Sequence, residues 1–120
     1  MLTPYAYDED FKGLAKFGAC DFVIDGAIVG EKEEVSVKRK RGTCFYADFE
    51  KAEEKSDDRR MVKCKNFLSC GNCALLHIAY DKQKSMKRDI VRQAVEPYFA
   101  KVSETVSLGE YGYRNKAHLA

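Results

Sequence analysis

The sequence lacks the segments that would carry the chain into or across a membrane. No run approaches the roughly 18 apolar residues that a transmembrane helix needs. The N-terminus has acidic and tyrosine side chains where a signal peptide has lysine followed by an apolar block. We therefore expect a cytoplasmic protein with no membrane partner. Thiols stay reduced in the cytoplasm, so the cysteines predict metal or catalytic ligands before they predict disulfides.

The sequence also has no internal repeat, no low-complexity tract and no strong net charge. With 45% hydrophobic and 33% charged residues in 120, it predicts a small globular domain with an appendage, or one modest domain. Residues 1–58 carry 9 basic and 14 acidic side chains, a net −5, whereas residues 59–120 carry 12 and 5, a net +7. A basic second half suits a phosphate backbone, although the solvated faces of ordinary domains reach similar asymmetry.

The first half of the chain has the pattern of short strands. Charged or glycine-containing turns separate segments that are apolar or that alternate apolar with polar residues. The predicted strands lie at residues 21–25, 27–30, 35–38 and 45–49. Short strands at this spacing predict a small β-barrel or meander, which a polar connector at residues 50–60 follows.

The second half contains the clearest predicted helix, at residues 80–96. Apolar residues recur on one side of this helix, at Met86, Ile90, Val91, Ala94, Val95 and Tyr98. Pro97 has no backbone N–H and disfavours helical geometry in the preceding residue, so the helix should end there. Residues 106–113, with two glycines, predict a short strand or hairpin. The expected fold class is therefore α+β.

Three cysteines, Cys64, Cys70 and Cys73, form a C-x5-C-x2-C array. Cysteines separated by two residues can reach one metal across a tight turn, which Gly71 favours because glycine accepts positive φ. Free cysteines do occur in protein cores, but three in so short a segment are improbable by chance. Zinc ribbons usually offer two C-x2–4-C pairs, whereas a triplet with a remote fourth cysteine is more typical of iron–sulfur sites. The array predicts a metal site, with iron–sulfur favoured over zinc.

The other cysteines and the histidine have simpler interpretations. Cys20 and Cys44 lie among the predicted strands and are expected in the core, because buried free cysteine is common. His77 is expected as a packed ring or a helix-start contact before a metal ligand. No cysteine–histidine pair has the local signature of a nucleophile.

The densest basic run consists of Lys38, Arg39, Lys40 and Arg41. At the end of a strand, such a run either contacts nucleic-acid phosphates or simply faces solvent. The aromatic residues that follow, Phe45, Tyr46 and Phe49, either stack on bases or pack in the core.

Five segments of the chain are distinctive, namely Phe22-Val-Ile-Asp-Gly26-Ala27-x2-Gly30-Glu31, Ser56-Asp-Asp-Arg59, the cysteine array with His77, Tyr80-x2-Gln83-x3-Lys87 and Tyr113-Arg-Asn-Lys116. Taken together, they resemble the N-terminal part of the RNA (uracil-5-)-methyltransferases, in particular those that modify large-subunit ribosomal RNA. The resemblance spans nearly the whole chain. One departure is Asn72, where the family usually has a second glycine between the last two cysteines.

The resemblance implies three segments: a TRAM domain, which is an OB-like RNA-binding β-barrel, at residues 1–58, a cysteine cluster segment at 59–78, and a helix with the start of a central domain at 79–120. It implies that the three cysteines hold a [4Fe-4S] cluster whose fourth ligand lies beyond Ala120. It also implies RNA, most of all ribosomal RNA, as the partner of the basic run and of Arg114 and Lys116.

The family's S-adenosylmethionine-binding domain, with its nucleophilic cysteine and general base, is not found in these 120 residues. Methyl transfer needs the cofactor, nucleophile and base in one preorganised site. We therefore expect this chain to be inactive alone. The alternative is a stand-alone RNA- or protein-binding module with a structural iron–sulfur or zinc site and no catalysis.

Overall fold

The computed structural model describes residues 1–70, 73–99 and 101–115. The chain forms two compact units, Met1–Ala79 and Tyr80–Ala120. A mixed sheet and the cysteine segment make up the first unit, and a long helix with irregular chain makes up the second. The predicted α+β class is confirmed. Among the described residues, no helix is both long enough and apolar enough to cross a membrane.

The sheet of the first unit has five strands: β1 Ala6–Tyr7, β2 Gly13–Phe17, β3 Cys20–Asp25, β4 Glu33–Arg41 and β5 Cys44–Ala52. Their order across the sheet is β1-β2-β3-β5-β4. β3 and β5 are parallel, and every other pair is antiparallel. Leu2 and Glu33 exchange backbone hydrogen bonds of 2.8 and 2.7 Å, which join the start of the chain to the edge strand β4.

One face of the sheet forms the hydrophobic core of the first unit. Side chains of a strand alternate between faces, so register partners on adjacent strands meet on the same face. The buried core consists of Leu2, Ala15, Ile24, Ala27 and Ala47, with Phe22, Val35 and Phe49 packed against it. These residues come from the N-terminal segment, from four strands and from the turn after β3, so the core depends on pairing between distant parts of the chain.

Three of the four predicted strands are confirmed, within β3, β4 and β5. The fourth, at residues 27–30, is wrong. Gly26 and Gly30 have φ values of +80° and +92°, and the amide of Ile28 donates to the Glu33 carboxyl group at 2.8 Å instead of to a neighbouring strand. The segment is therefore a turn, buried at Ala27 and Ile28 and exposed at Val29 and Gly30. β1 and β2 were not predicted, because β1 has only two residues and β2 begins with a glycine, so neither gives a clear alternation.

Gly13 begins β2 where the chain packs too closely for a side chain. A Cβ atom there would lie 2.5 Å from the Cβ of Ala27 and 3.3 Å from the Cβ of Pro4. We expect Gly13→Ala to destabilise the first unit by about 1–3 kcal/mol through overpacking. Urea unfolding followed by circular dichroism measures this loss. Gly109→Ala is the control, because a Cβ there meets no atom within 4 Å, and equal stability of the two variants would contradict the close packing.

The second unit is built on a helix that follows α1 Phe67–Cys70 in the chain. This helix, α2 Tyr80–Val95, ends one residue before the predicted boundary, and Pro97 lies in the 3₁₀ turn Glu96–Tyr98 that follows. Of the predicted apolar side, Met86 is buried while Ile90 and Val91 are exposed.

The predicted strand or hairpin at residues 106–113 is wrong, because the described residues 101–115 contain no strand. The Ser107 hydroxyl accepts from the Gly109 amide at 3.3 Å and lies 3.1 Å from the Gly109 carbonyl. This local turn takes the place of a strand ladder. Arg88 donates to the carbonyl of Val102 at 2.9 Å, which ties the irregular segment to α2.

Candidate functional site

The three cysteines of the array lie on an exposed loop of the first unit. Cys64 precedes α1, Cys70 is the last residue of α1, and Cys73 follows two residues, Gly71 among them, that lie outside the described ranges. All three thiols are free and exposed. The amide of Phe67 donates to the Cys64 carbonyl at 3.4 Å, so a tight turn leads from the first cysteine into the helix that carries the second.

The donor chemistry of this loop fits an iron–sulfur cluster, because exposed soft thiols on one short segment are the ligands that such clusters use. In residues 1–70, 73–99 and 101–115, no three Cys, His, Asp or Glu side chains are gathered in a metal-holding arrangement. Cys20 and Cys44 are half-buried in β3 and β5. Cys64, Cys70 and Cys73, all of them described, are thus not brought together in a common metal site, and the metal-ligand prediction stays a prediction.

Hydrogen bonds close the cysteine loop at its base. The amide of Arg60 donates to the carbonyl of His77 at 3.0 Å, and the Arg60 Nε atom donates to the carbonyl of Leu76 at 3.0 Å. Next to them, Arg59 and Ile78 form an antiparallel bridge. The segment between Arg60 and His77 therefore starts and ends at neighbouring points. Between them, Leu68 and Phe67 lie against the body of the unit, 3.3 and 3.6 Å from the position that a Cβ atom on Gly26 would take.

Arg59 fixes the base of the loop to the sheet. Its side chain is only 8% exposed, and its guanidinium binds the Glu31 carboxylate in a bidentate manner, with Nη2–Oε2 and Nε–Oε1 distances of 2.7 and 3.1 Å. It also donates to the carbonyl of Gly26 at 3.0 Å and lies 3.8 Å from the centroid of the Phe49 ring. Bidentate arginine–carboxylate pairs are strong and geometrically specific, so this contact sets the position of the loop base.

Glu33 is completely buried and shares the Arg59 guanidinium with Glu31, at 3.4 Å. Burial raises the pKa of Glu33 to about 8, and the neighbouring Glu31 carboxylate adds to the rise. Burial also acts to raise the pKa of Glu31, but hydrogen bonds from Arg59 and from the Ser56 amide outweigh it and hold that pKa below its usual value. At neutral pH, Glu33 is therefore protonated and one carboxylate balances one guanidinium.

His77 fixes the other side of the loop base. The ring is buried, and its Nε2 atom donates to the carbonyl of Ala27 at 2.8 Å. Burial lowers the pKa of His77 to about 4, so the ring is neutral at physiological pH. The ring of Phe67, in α1, lies 5.4 Å away between centroids. The prediction that His77 is a packed ring is confirmed.

The buried Glu31–Arg59–Glu33 cluster was not predicted from the sequence. The acids stand in a charged turn and the arginine in a polar connector, and both patterns are typical of solvent-exposed chain. One available signal was the apolar stretch Ala27–Val29 between two glycines, because acids directly after a buried turn can reach its backbone amides.

The predicted basic run is divided between the two faces of the sheet. Arg39 lies opposite Tyr46, with its guanidinium 4.4 Å from the ring centroid. Lys40 lies opposite Phe45 on the other face, with its ammonium 5.3 Å from that ring. The run is thus not a single patch of charge.

The remaining predicted RNA-binding residues have different locations. Lys38 is exposed and forms an ion pair with Asp48 at 2.6 Å. Arg41 is exposed at the end of β4, and Arg114 is exposed in the second unit. Lys116 lies outside the described residues.

The chain is similar to part of several proteins that are named RNA methyltransferases, and no protein-family model matches it. An uncharacterized RNA methyltransferase of Listeria innocua is 33% identical over 113 residues, which cover 88% of this chain and 25% of the relative. The 23S rRNA (uracil(1939)-C(5))-methyltransferase RlmD of Pseudomonas entomophila is 28% identical over 115 residues, which cover 92% of this chain and 25% of the relative. RlmD of Pseudomonas fluorescens is 28% identical over 123 residues, which cover 99% of this chain and 27% of the relative. The chain thus spans about a quarter of the length of these relatives.

Proposed function

We infer that this chain, a homologue of a segment of the RNA methyltransferases, is the N-terminal RNA-binding and iron–sulfur portion of an S-adenosylmethionine-dependent RNA (uracil-5-)-methyltransferase acting on ribosomal RNA. The observation that carries this inference is the similarity to rRNA uracil methyltransferases across 92–99% of the chain. Cofactor binding and methyl transfer are assigned to the part of the relatives that the chain does not match. The proposed location is the cytoplasm, and the proposed partner is RNA.

We propose that the sheet of the first unit is an OB-like barrel of the TRAM type. OB folds are small five-stranded barrels that bind oligonucleotides on the faces of their strands and in their loops. Two features support this proposal: the sheet has five strands, and the Leu2–Glu33 bridge joins the N-terminal segment to the far edge of the sheet.

We propose that Cys64, Cys70 and Cys73 ligate a [4Fe-4S] cluster. Their softness, their exposure and the fixed base of their loop support the assignment. A bound cluster would supply a rigid cross-link between the three cysteine positions of this segment. Arg59 and His77 hold that base from both sides, so they position the segment without ligating metal.

Anaerobic purification followed by metal and sulfide analysis tests the cluster. Wild-type protein should contain iron and acid-labile sulfide and should absorb broadly in the visible range. Cys70→Ser should lose most of the iron and the colour, while Cys44→Ser, a change in the half-buried cysteine of β5, should keep both.

Protease digestion of the same variants reports on the loop. Because hydrogen bonds hold the base without metal, we expect Cys70→Ser to loosen the loop while the sheet stays resistant. Iron retained in Cys70→Ser would contradict the ligand assignment. Zinc in place of iron in the wild type would favour a zinc site.

The second candidate function is a stand-alone binding module without catalysis. It is favoured by the self-contained first unit, which has its own core and a buried ion-pair cluster. The genomic sequence after codon 120 decides between the two candidates. A methyltransferase domain encoded there, in the same or a shifted frame, supports the enzyme, and an unrelated sequence supports the module.

A further inference from the structure

The sheet face opposite the core is open to solvent. Strand register places four side chains in one row across β2, β3, β5 and β4, namely Leu14, Val23, Tyr46 and Arg39. None of them is buried, whereas Ala15, Ile24 and Ala47 next to them in sequence are almost fully covered on the core face. This open-face row is therefore available to a partner.

The row contains a cation–π pair, Arg39 over the ring of Tyr46. The guanidinium of Arg39 lies 4.4 Å from the ring centroid of Tyr46. The pair lies in a groove of about 240 Å³, lined by Lys12, Val23, Asp25, Lys38, Arg39 and Tyr46. Aromatic rings and guanidinium planes are the surfaces on which proteins stack unpaired bases, and each stacked base contributes substantially to single-strand binding.

The charges around the groove are mixed, with cations in excess. Three lysines form ion pairs with aspartates on the same face: Lys12–Asp25 at 3.3 Å, Lys16–Asp21 at 3.9 Å and Lys38–Asp48 at 2.6 Å. Arg39 and Arg41 bring the total to five cations against three carboxylates. The excess of cations therefore attracts RNA phosphates only moderately. A rigid duplex, which offers only its backbone and groove edges, would bind weakly to this face.

We propose that Tyr46 and Arg39 form a stacking site for an unpaired base of single-stranded RNA, with Lys38 and Arg41 contacting its phosphates. This proposal rests on the proposed function for the nature of the partner. Beyond the proposed function, it specifies that RNA binds on the open face of the sheet and that single strands are preferred. It also specifies that only some residues of the basic run contact RNA. Lys40 points to the other face, beside Phe45, and takes no part in the site.

Fluorescence anisotropy with a labelled uridine-rich RNA of about 12 nucleotides, a length within the span of one OB fold, tests this site on the full chain. Tyr46→Ala should weaken binding roughly 5- to 150-fold, the fold-change that corresponds to about 1–3 kcal/mol for one stacked base. Tyr46→Phe keeps the ring and should bind within about twofold of wild type. Tyr111→Ala, which removes an exposed tyrosine of the second unit, should bind like the wild type.

A charge-matched pair of variants separates stacking from general electrostatics. Arg39→Met and Lys40→Met each remove one cation from adjacent positions of β4, but only Arg39→Met should weaken binding several-fold. Arg41→Ala should reduce the slope of log affinity against log salt by about 0.7, the value for one lost phosphate contact on a single strand. Thermal melting confirms that each variant is folded.

Three results would overturn the proposal. Equal losses for Arg39→Met and Lys40→Met would show that charge alone matters, and wild-type affinity in Tyr46→Ala would show that the open face is not used. Equal affinity of the wild type for duplex and single-stranded RNA would remove the stacking preference. In each of these cases the chain still binds RNA and the proposed function stands, whereas a wild type that binds no RNA overturns both proposals.

Discussion

Replacement of Arg59 by methionine should destabilise the first unit by about 3–5 kcal/mol, the loss expected when a buried ion pair loses one partner. Glu31 would remain buried with a charge that nothing balances, and the carbonyl of Gly26 would lose its donor. Because small domains are stable by only about 5–15 kcal/mol, this is a large share of the total. Urea unfolding monitored by circular dichroism measures it.

A surface ion pair provides the matched control for Arg59. Lys32 lies 3.2 Å from Glu53, but both side chains are more than half exposed, so Lys32→Met should cost less than about 1 kcal/mol. The double variant Arg59→Met/Glu31→Gln should recover part of the loss, because it removes the unpaired charge. If Arg59→Met cost no more than Lys32→Met, the cluster would not be what holds the loop base to the sheet.

The second large effect is a loss of stability at alkaline pH that depends on Glu33. Its pKa is about 8 in the folded protein against 4.5 when exposed, so the folded state binds more protons between these values and stability falls as pH rises through them. His77 acts in the opposite sense, because its pKa of about 4 against 6.5 makes stability fall as pH drops from 6.5 to 4. Between pH 4.5 and 6.5 the contributions of Glu33 and His77 to the slope of stability against pH have opposite signs. The stability that these two residues determine is therefore greatest in that range.

Of these two residues, only Glu33 contributes to the loss of folding stability between pH 6.5 and 8. Its slope should approach about 1.4 kcal/mol per pH unit, or about 2 kcal/mol over the interval. Glu33→Gln has no ionisable group and should flatten this decline in urea unfolding at several pH values. Glu34→Gln, at an exposed position of the same strand, should keep it. A decline that persists in Glu33→Gln would assign it to another group.

Secondary structure was predictable where the pattern was strong and local. The alternation in β5 and the long amphipathic α2 were found within a few residues of their bounds. The parallel pairing of β3 with β5 was not predictable, because it depends on contacts between distant segments and not on the period of either strand. The turn at residues 27–30 resembled a strand because apolar residues fill it, and its two glycines with positive φ decide otherwise.

The candidate sites, too, were predictable from the sequence only where their residues lie close together in the chain. The cysteine array was evident from its spacing, because thiols so close in sequence are rare without a shared role, and its metal-binding role stays a prediction. The basic run was evident as charge, and strand alternation divides any such run between the two faces. The sequence does not mark the β4 bulge between Val37 and Arg39, which decides which members of the run share a face. The Glu31–Arg59 pair was hidden because charged residues far apart in sequence give no periodic signal.

Because the base of the cysteine loop is closed by protein contacts, folding of the sheet does not depend on metal binding, although the two are often linked. The ends of segment 61–76 are held together by the hydrogen bonds and the ion pair of Arg59, Arg60 and His77. These contacts offset the entropic cost of closing the loop, so a bound metal does not have to. The loop can therefore change in length, lose a thiol or be cut by a protease while the sheet remains folded. Substitutions in the proposed metal site should then cause loss of the proposed cofactor and not loss of the folded protein.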